Sequence, residues 1–372
     1  MSRHTIPIGR IFGIPLDVDY SWFLIFALLT WMLALNYYPV ELPGYTHGWY
    51  WGLGAVTAVL FFASIVVHEL AHSWVALRYK IPVSRITLFV FGGVSQIVGE
   101  PPSAGSEFLI AVAGPVTSFV LAAAFLLSER LLNGATPALL VARYLALING
   151  MLGAFNLIPG FPMDGGRVLR AVVWAATRDF RRATLIAASA GRFFGFLFIF
   201  AGVWLFLKGN TFNGLWIAFI GWFLESAAAS QVQQHLVQGL LVGHRVSEAM
   251  DHAFARVPGD ATLQRLVEEE ILAHARRCLL VADDKHILGL LTLHDIKEVP
   301  RSSWPTMTAA QAMVPAPELT TTDPQAELSV ALEKMGRKGI NQMPVMDGQE
   351  IVGMLSRADI LKYLQVLQQL KA

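Results

Sequence analysis

The stretch Trp49–Leu77, WYWGLGAVTAVLFFASIVVHELAHSWVAL, decides how this chain is read. It is long and apolar enough to cross a bilayer as a helix, because about 20 residues at about 1.5 Å each span the hydrocarbon core. Its His, Asp, Glu, Lys and Arg side chains are confined to five consecutive positions, His68-Glu69-Leu70-Ala71-His72. Such groups inside a span cost roughly 2.5–3.5 kcal/mol each on insertion scales, and they are retained for function or pairing. Residues four apart on a helix differ by about 40° in direction, so both imidazoles face one way and can share a metal ion. Glu69 stands beside them to take a proton from water, the arrangement of a metallohydrolase.

Working outward, five more apolar runs have the length of a span: Tyr20–Val40, Phe108–Ser128, Ala138–Ile158, Thr184–Leu207 and Phe212–Ala229. Composition agrees, with 55% hydrophobic and 15% charged residues against about 25% charged in a soluble domain. The charges concentrate beyond the last run: residues 1–240 hold 14 Lys+Arg and 10 Asp+Glu, residues 241–372 hold 14 and 17. A membrane body, 1–230, followed by a soluble tail is expected. Lys and Arg accumulate in alternate flanks, at Arg3 and Arg10, at Arg78, Lys80 and Arg85, and at Arg167, Arg170, Arg178, Arg181 and Arg182. The opposite flanks hold none, Arg130 and Lys208. Positive charge stays on the cytoplasmic side, so both termini are expected in the cytoplasm of a multi-pass protein of the cell membrane.

The same arithmetic excludes some functions. No basic patch is dense enough to follow a nucleic-acid backbone, and one cysteine, Cys278, excludes an internal disulfide. Residues 1–19 lack the apolar core and small-residue cleavage site of a cleaved leader.

Two histidines leave zinc short of a third protein ligand. Asp164 is the best candidate, in Asn156-Leu-Ile-Pro-Gly-Phe-Pro-Met-Asp-Gly165, where Pro159 and Pro162 interrupt regular helix. Non-helical backbone at membrane depth is tolerated where it is buried in protein or lines a cavity. The competing reading makes Asp164 an N-cap for a helix over 167–177. Asn156 offers both a donor and an acceptor near the same site.

The β-rich segment Ser84–Ile97 is too interrupted for a span and reads as a membrane-embedded hairpin or sheet. A protease holds its substrate extended, and a strand edge can supply the backbone partners. Gly92 and Gly93 would let a backbone approach closely. A hairpin that lines the site without touching substrate is the alternative.

The tail repeats itself. Ile287–Ile296, ILGLLTLHDI, matches Ile351–Ile360, IVGMLSRADI, at an offset of 64, and Arg245–Met250 is echoed by Thr308–Met313. Two copies of an α/β unit that cannot bury its apolar face alone should pack together. In each, a hydroxyl precedes a carboxylate by three, Thr292 with Asp295 and Ser356 with Asp359, which is also a helix-capping pattern.

Taken together these residues resemble the site-2 proteases, intramembrane zinc metalloproteases, in the subgroup with a C-terminal pair of cystathionine-β-synthase (CBS) domains. The resemblance rests on His68–His72, on Asn156–Gly165, on Ala113-Gly-Pro115 in the third run and on Gly92-Gly93, and it covers essentially the whole chain. It implies six spans with an embedded β-hairpin or sheet and a cytoplasmic α/β tandem CBS module, with a linker over 231–244 and CBS units at 245–300 and 308–365. It implies one catalytic Zn2+ on His68, His72 and Asp164, Glu69 as general base and Asn156 supporting substrate or oxyanion. The substrate would be a single-span membrane protein met within the lipid bilayer. Between spans there is no room for the PDZ domain many relatives carry. At the CBS pair, Thr292, Asp295, Ser356 and Asp359 would hold ATP, ADP or AMP, or else the pair serves docking or a homodimer. Two other classes stay open, a CBS-regulated membrane transporter and a non-catalytic membrane sensor. Transport would persist without Glu69, and a sensor would bind no zinc.

Overall fold

The computed structural model describes residues 5–131, 136–241, 243–274, 276–283, 286–348 and 350–371; Arg3, counted among the flanking charges, lies outside them. The chain divides into two compact units, Met1–His235 and Leu236–Ala372.

Among the described residues of the first unit, six helices are long and apolar enough to cross a membrane: Tyr20–Glu41, His47–Arg78, Ala104–Ser128, Pro137–Asn156, Phe180–Leu207 and Thr211–Val232. Each contains most of one expected apolar run. The elements are β1 (Thr5–Ile11), β2 (Ile14–Asp19), α1 (Tyr20–Met32, prolonged by π and α turns to Glu41) and α2 (His47–Arg78). Then follow β3 (Val83–Phe89), β4 (Gly92–Ile97), α3 (Ala104–Leu131), α4 (Pro137–Asn156), α5 (Asp164–Thr177), α6 (Phe180–Leu207) and α7 (Thr211–Leu241). α7 is helical through Leu241 and so includes most of the stretch 231–244.

Local sequence sets several helix starts. Asp19 accepts from the Ser21 N–H at 2.9 Å to open α1, and Asp179 accepts from the Arg182 N–H at 2.9 Å to open α6, which satisfies donors that a helix leaves unpaired in its first turn. Thr136 caps α4 with Pro137 in the first position, where a missing N–H costs nothing.

The β-rich segment forms the expected hairpin, and the structure adds a second one ahead of it. β1 and β2 pair antiparallel around Phe12-Gly13, both at positive φ (51° and 81°). β2 then pairs parallel with β3, giving a sheet in the order β1-β2-β3-β4. Ile14, Leu16, Val18, Ile86 and Leu88 pack its inner face on Phe62 and Ile65 of α2. Asp17 and Arg85 join β2 to β3 at 2.7 Å. A parallel pair needs a long crossover, and here α1 and α2 supply it. Asn149, a polar exception within the fourth apolar run, is fully buried and donates to Ser64 of α2 at 3.3 Å.

The second unit is α/β. β5 (Arg256–Val257), β6 (Cys278–Asp283), β7 (His286–Thr292) and β8 (Val314–Pro315) form one sheet, and β9 (Gln342–Asp347) pairs β10 (Glu350–Ser356) in another. Helices α8 (Leu293–Glu298) and α9 (Arg357–Lys371) follow β7 and β10. The repeats pack on each other through Leu280, Leu290, Ile351 and Met354. They also exchange their leading segments: Met313 lies against Gly289 of the first hairpin and Met250 against Gly353 of the second.

Candidate metal centre

α2 carries the motif on its buried face, with His68 and His72 each 3% exposed. His68 Nε2 and His72 Nε2 are 3.2 Å apart, and Asp164 Oδ2 lies 3.2 Å from the first and 3.1 Å from the second. These distances fit one zinc ion, because donors on tetrahedral bonds of about 2.0–2.1 Å stand about 3.3 Å from one another. Among the described residues this is the one His/Cys/Asp/Glu group of three whose ligand atoms converge in this way.

Each histidine is oriented from outside the triangle. The Nδ1 of His72 lies 2.6 Å from the Ile110 carbonyl, and the Nδ1 of His68 lies 2.8 Å from Ser118 Oγ. A carbonyl can only accept, so His72 donates from Nδ1 and keeps the Nε2 lone pair for a metal. Both partners lie on α3, as does Gly114. A Cβ at position 114 would sit 2.1 Å from His72 Nε2 and 2.5 Å from His68 Nε2, so the absence of a side chain holds open the space that a metal needs.

Asp164 stands in the first turn of α5 but does not cap it. The N-cap is Met163 and makes no side-chain bond, while the aspartate turns to the histidines. Gly165 and Gly166 let the loop fold tightly on itself, since a Cβ at 165 would lie 2.3 Å from the Ile158 carbonyl oxygen and one at 166 would lie 2.4 Å from Gly160. Asn156 is the last residue of α4 and half-buried. Among the described residues it makes no hydrogen bond to His68, His72 or Asp164.

Glu69 is held by the sheet. Ser95 of β4 donates to Glu69 Oε2 at 2.5 Å, and Gly93 approaches so closely that a Cβ there would lie 2.8 Å from Glu69 Cγ. Gly93 is therefore required by α2 itself. Gly92 has open space around it and instead supplies a positive φ of 124° at the turn. The hairpin tip is pinned by Phe91, stacked 4.0 Å from Phe223 of α7. β4 pairs with β3 on one side and ends the sheet on the other.

The tail residues sit in two matching caps. Thr292 N–H and Oγ donate to Asp295 Oδ2 at 2.8 and 2.7 Å, and Ser356 N–H and Oγ donate to Asp359 Oδ2 at 3.0 and 2.5 Å. The capping pattern is present at both, and each aspartate keeps its second oxygen, Oδ1, outside the box. Sequence reading did not reach Ser95, Ile110, Ser118 or the role of Gly114. The one available signal was Gly114-Pro115 inside an apolar run, where neither residue favours a helix.

The chain is similar to known proteins along nearly its whole length. Residues 56–137 and 134–202 match the model described as peptidase family M50, and residues 246–302 and 310–366 each match the CBS domain. A protein of Mycobacterium tuberculosis named as a zinc metalloprotease, Rip3, is 37% identical over 98% of this chain and 94% of its own length. One of Synechocystis, also named as a zinc metalloprotease, is 34% identical over 98% of this chain and 96% of its own. The solved site-2 protease of Methanocaldococcus jannaschii is 29% identical, with a TM-score of 0.45, over 62% of this chain and 95% of that one. With its six apolar helices and paired α/β repeats, the chain belongs to peptidase family M50, the site-2 protease family of zinc metalloproteases, as a multi-pass member carrying two CBS domains.

Proposed function

We propose that this protein hydrolyses a peptide bond in or beside the membrane-spanning segment of a single-span substrate protein, as in regulated intramembrane proteolysis. The observation that carries the reading is the triangle of His68 Nε2, His72 Nε2 and Asp164 Oδ2, with sides of 3.1 to 3.2 Å, whose two histidines lie on a helix long enough to span a membrane.

His68, His72 and Asp164 are the zinc ligands in this reading. A zinc ion there supplies Lewis acidity, lowering the pKa of water and polarising a scissile carbonyl. Glu69 is the general base. Ser95 occupies its Oε2, leaving Oε1 to accept the proton of the attacking water and return it to the leaving amine. Asn156 steadies the substrate carbonyl region from the end of α4. The substrate is held extended along the outer edge of β4 beyond Gly92-Gly93, because a helical segment hides its peptide bonds within its own turns. The Lys and Arg asymmetry of the flanks supports cytoplasmic termini and water entry from that side.

In the tail, CBS units at 245–300 and 308–365 bind an adenine nucleotide with Thr292, Asp295, Ser356 and Asp359, and the bound nucleotide controls cleavage. The Oδ1 atoms outside the capping boxes are the acceptors available to a ribose. A tenfold effect on activity requires about 1.4 kcal/mol of preference between active and inactive arrangements.

The test is purified full-length protein assayed for zinc content and for cleavage of single-span substrates, beside Glu69→Gln. Zinc retained in both and cleavage lost by a factor of about 10²–10⁴ in the variant is expected. Cleavage by Glu69→Gln at the wild-type rate sinks the assignment. Calorimetry with ATP, ADP and AMP tests the tail; no heat at millimolar nucleotide reduces it to a docking or dimer module.

A further inference from the structure

α5 carries Asp164 but is not continuous with any helix before it. The loop from 157 to 163 is non-helical, and Met163 caps α5 without a side-chain bond. The rotation of α5 about its axis, which aims Asp164, must therefore be fixed from outside. Among the described residues, two side chains of α5 hydrogen-bond to residues distant in the chain, Asp164 itself and Arg170, while Thr177 bonds only within α5 and to nearby Asp179.

Arg170 Nε donates to Glu107 Oε1 of α3 at 2.6 Å, and its Nη2 reaches the same oxygen. Both side chains are withdrawn from solvent, Glu107 at 0% exposure and Arg170 at 8%. The guanidinium also lies over two rings, 5.1 Å from Phe161 and 4.7 Å from Phe180. Phe161 belongs to the loop leading to Asp164, and Phe180 opens α6. One planar cation thus ties α3, the loop, α5 and α6 together.

The clamp and the metal triangle are in register. Asp164 and Arg170 are six residues apart, about 9 Å along α5, and Glu107 and Gly114 are seven apart, about 10.5 Å along α3. Following both helices away from the ion pair leads to Gly114 on α3 and Asp164 on α5, at the two Nε2 atoms. A buried ion pair is a poor source of stability, because the desolvation of both charges offsets their attraction. The convergence of two guanidinium N–H groups on the single oxygen Oε1, however, specifies an orientation that apolar contacts leave free.

We propose that Glu107 and Arg170 are positioning residues for the metal centre: the clamp fixes the rotation of α5 and the path of its loop so that Asp164 Oδ2 meets both histidines. This rests on the ligand set of the proposed function. The test uses full-length protein and the metals alone, with zinc affinity from chelator competition and cobalt(II) in zinc's place, whose visible absorption reports ligand geometry. Arg170→Lys keeps the charge but loses the two converging N–H groups and the stacking. It is compared with Arg192→Lys, which alters a second interhelical pair, Arg192 Nε to Glu225 Oε1 at 3.0 Å between α6 and α7. The expected result is metal affinity about 10-fold weaker in Arg170→Lys, the scale of an outer-shell loss, with a changed cobalt spectrum. Arg192→Lys should keep the wild-type affinity and spectrum even where its melting point falls. Wild-type affinity and spectrum in Arg170→Lys overturn the proposal. Should that variant not fold, Phe161→Leu, which keeps the apolar volume and removes the ring face, must show the same spectral change; an unaltered spectrum overturns it equally. If wild-type metal binding survives His72→Ala, the ligand reading fails first and the positioning role fails with it.

Discussion

Asp164 in the membrane unit and Asp295 and Asp359 in the tail all stand in the first turn of a helix, yet they are used in opposite ways. Asp295 and Asp359 bend back on the residue three before them and close capping boxes. Asp164 leaves its helix start uncapped and reaches His68 and His72, residues 96 and 92 positions away. An aspartate in the first turn is favoured by the unpaired N–H groups in either case, but only in the tail does the sequence place a hydroxyl three residues back; Phe161 holds that position before Asp164. What separates them is the neighbour: a serine or threonine three residues back in the tail, two imidazoles across a helix interface in the membrane. A capping box costs the fold nothing elsewhere, whereas an uncapped α5 is bearable because its start is held by tertiary contacts.

The largest expected effect breaks this contrast directly. Asp164→Ala should weaken zinc binding by well over 100-fold, since even outer-shell losses cost about 10–100-fold. Asp295→Ala and Asp359→Ala should keep zinc and each lower stability by about 1 kcal/mol, the worth of a cap. Chelator competition and thermal melts of the same preparations measure both; equal zinc affinity in Asp164→Ala and wild type would return Asp164 to the capping class.

Gly114→Ala sharpens the point from the facing helix. Alanine improves helix propensity, so a purely structural Gly114 would give a more stable α3. The added Cβ instead meets both Nε2 atoms, and loss of zinc by about 100-fold with an intact fold is the outcome anticipated for a ligand cradle. Zinc content by atomic absorption decides.

Ser95→Ala should leave zinc in place and lower kcat about 10-fold, because it frees the Glu69 carboxylate without removing it. A KM change at constant kcat would instead assign Ser95 to substrate binding on β4.

The smallest effect lies in the tail. Burial, reinforced by the carboxylates of Asp359 and Asp251, pushes the Cys278 thiol up to about 11. The folded state therefore favours the protonated thiol, and this contribution to stability is fully present below the ordinary thiol range and lost as pH rises toward 11. Alkylation of Cys278 at pH 8 should be much slower in native than in unfolded protein; equal rates would show that the thiol is neither buried nor perturbed.

Properties written in one dimension are legible before any fold is known. Six apolar runs of spanning length, the i, i+4 spacing of His68 and His72, the interrupted helix before Asp164 and the 64-residue repeat are all local or periodic, so hydrophobicity and helical geometry suffice to read them. What stands opposite each of them is set by the packing of distant elements. The parallel pairing of β2 with β3, the exchange of Met250 and Met313 between repeats, the Ile110 carbonyl and Ser118 behind the histidines, the Ser95 bond to Glu69 and the vacancy at Gly114 join residues that share no local pattern. Small residues and backbone carbonyls carry no periodic signature. Their meaning arises when packing brings another element within a few ångström, and an aspartate at a helix start becomes a metal ligand only then.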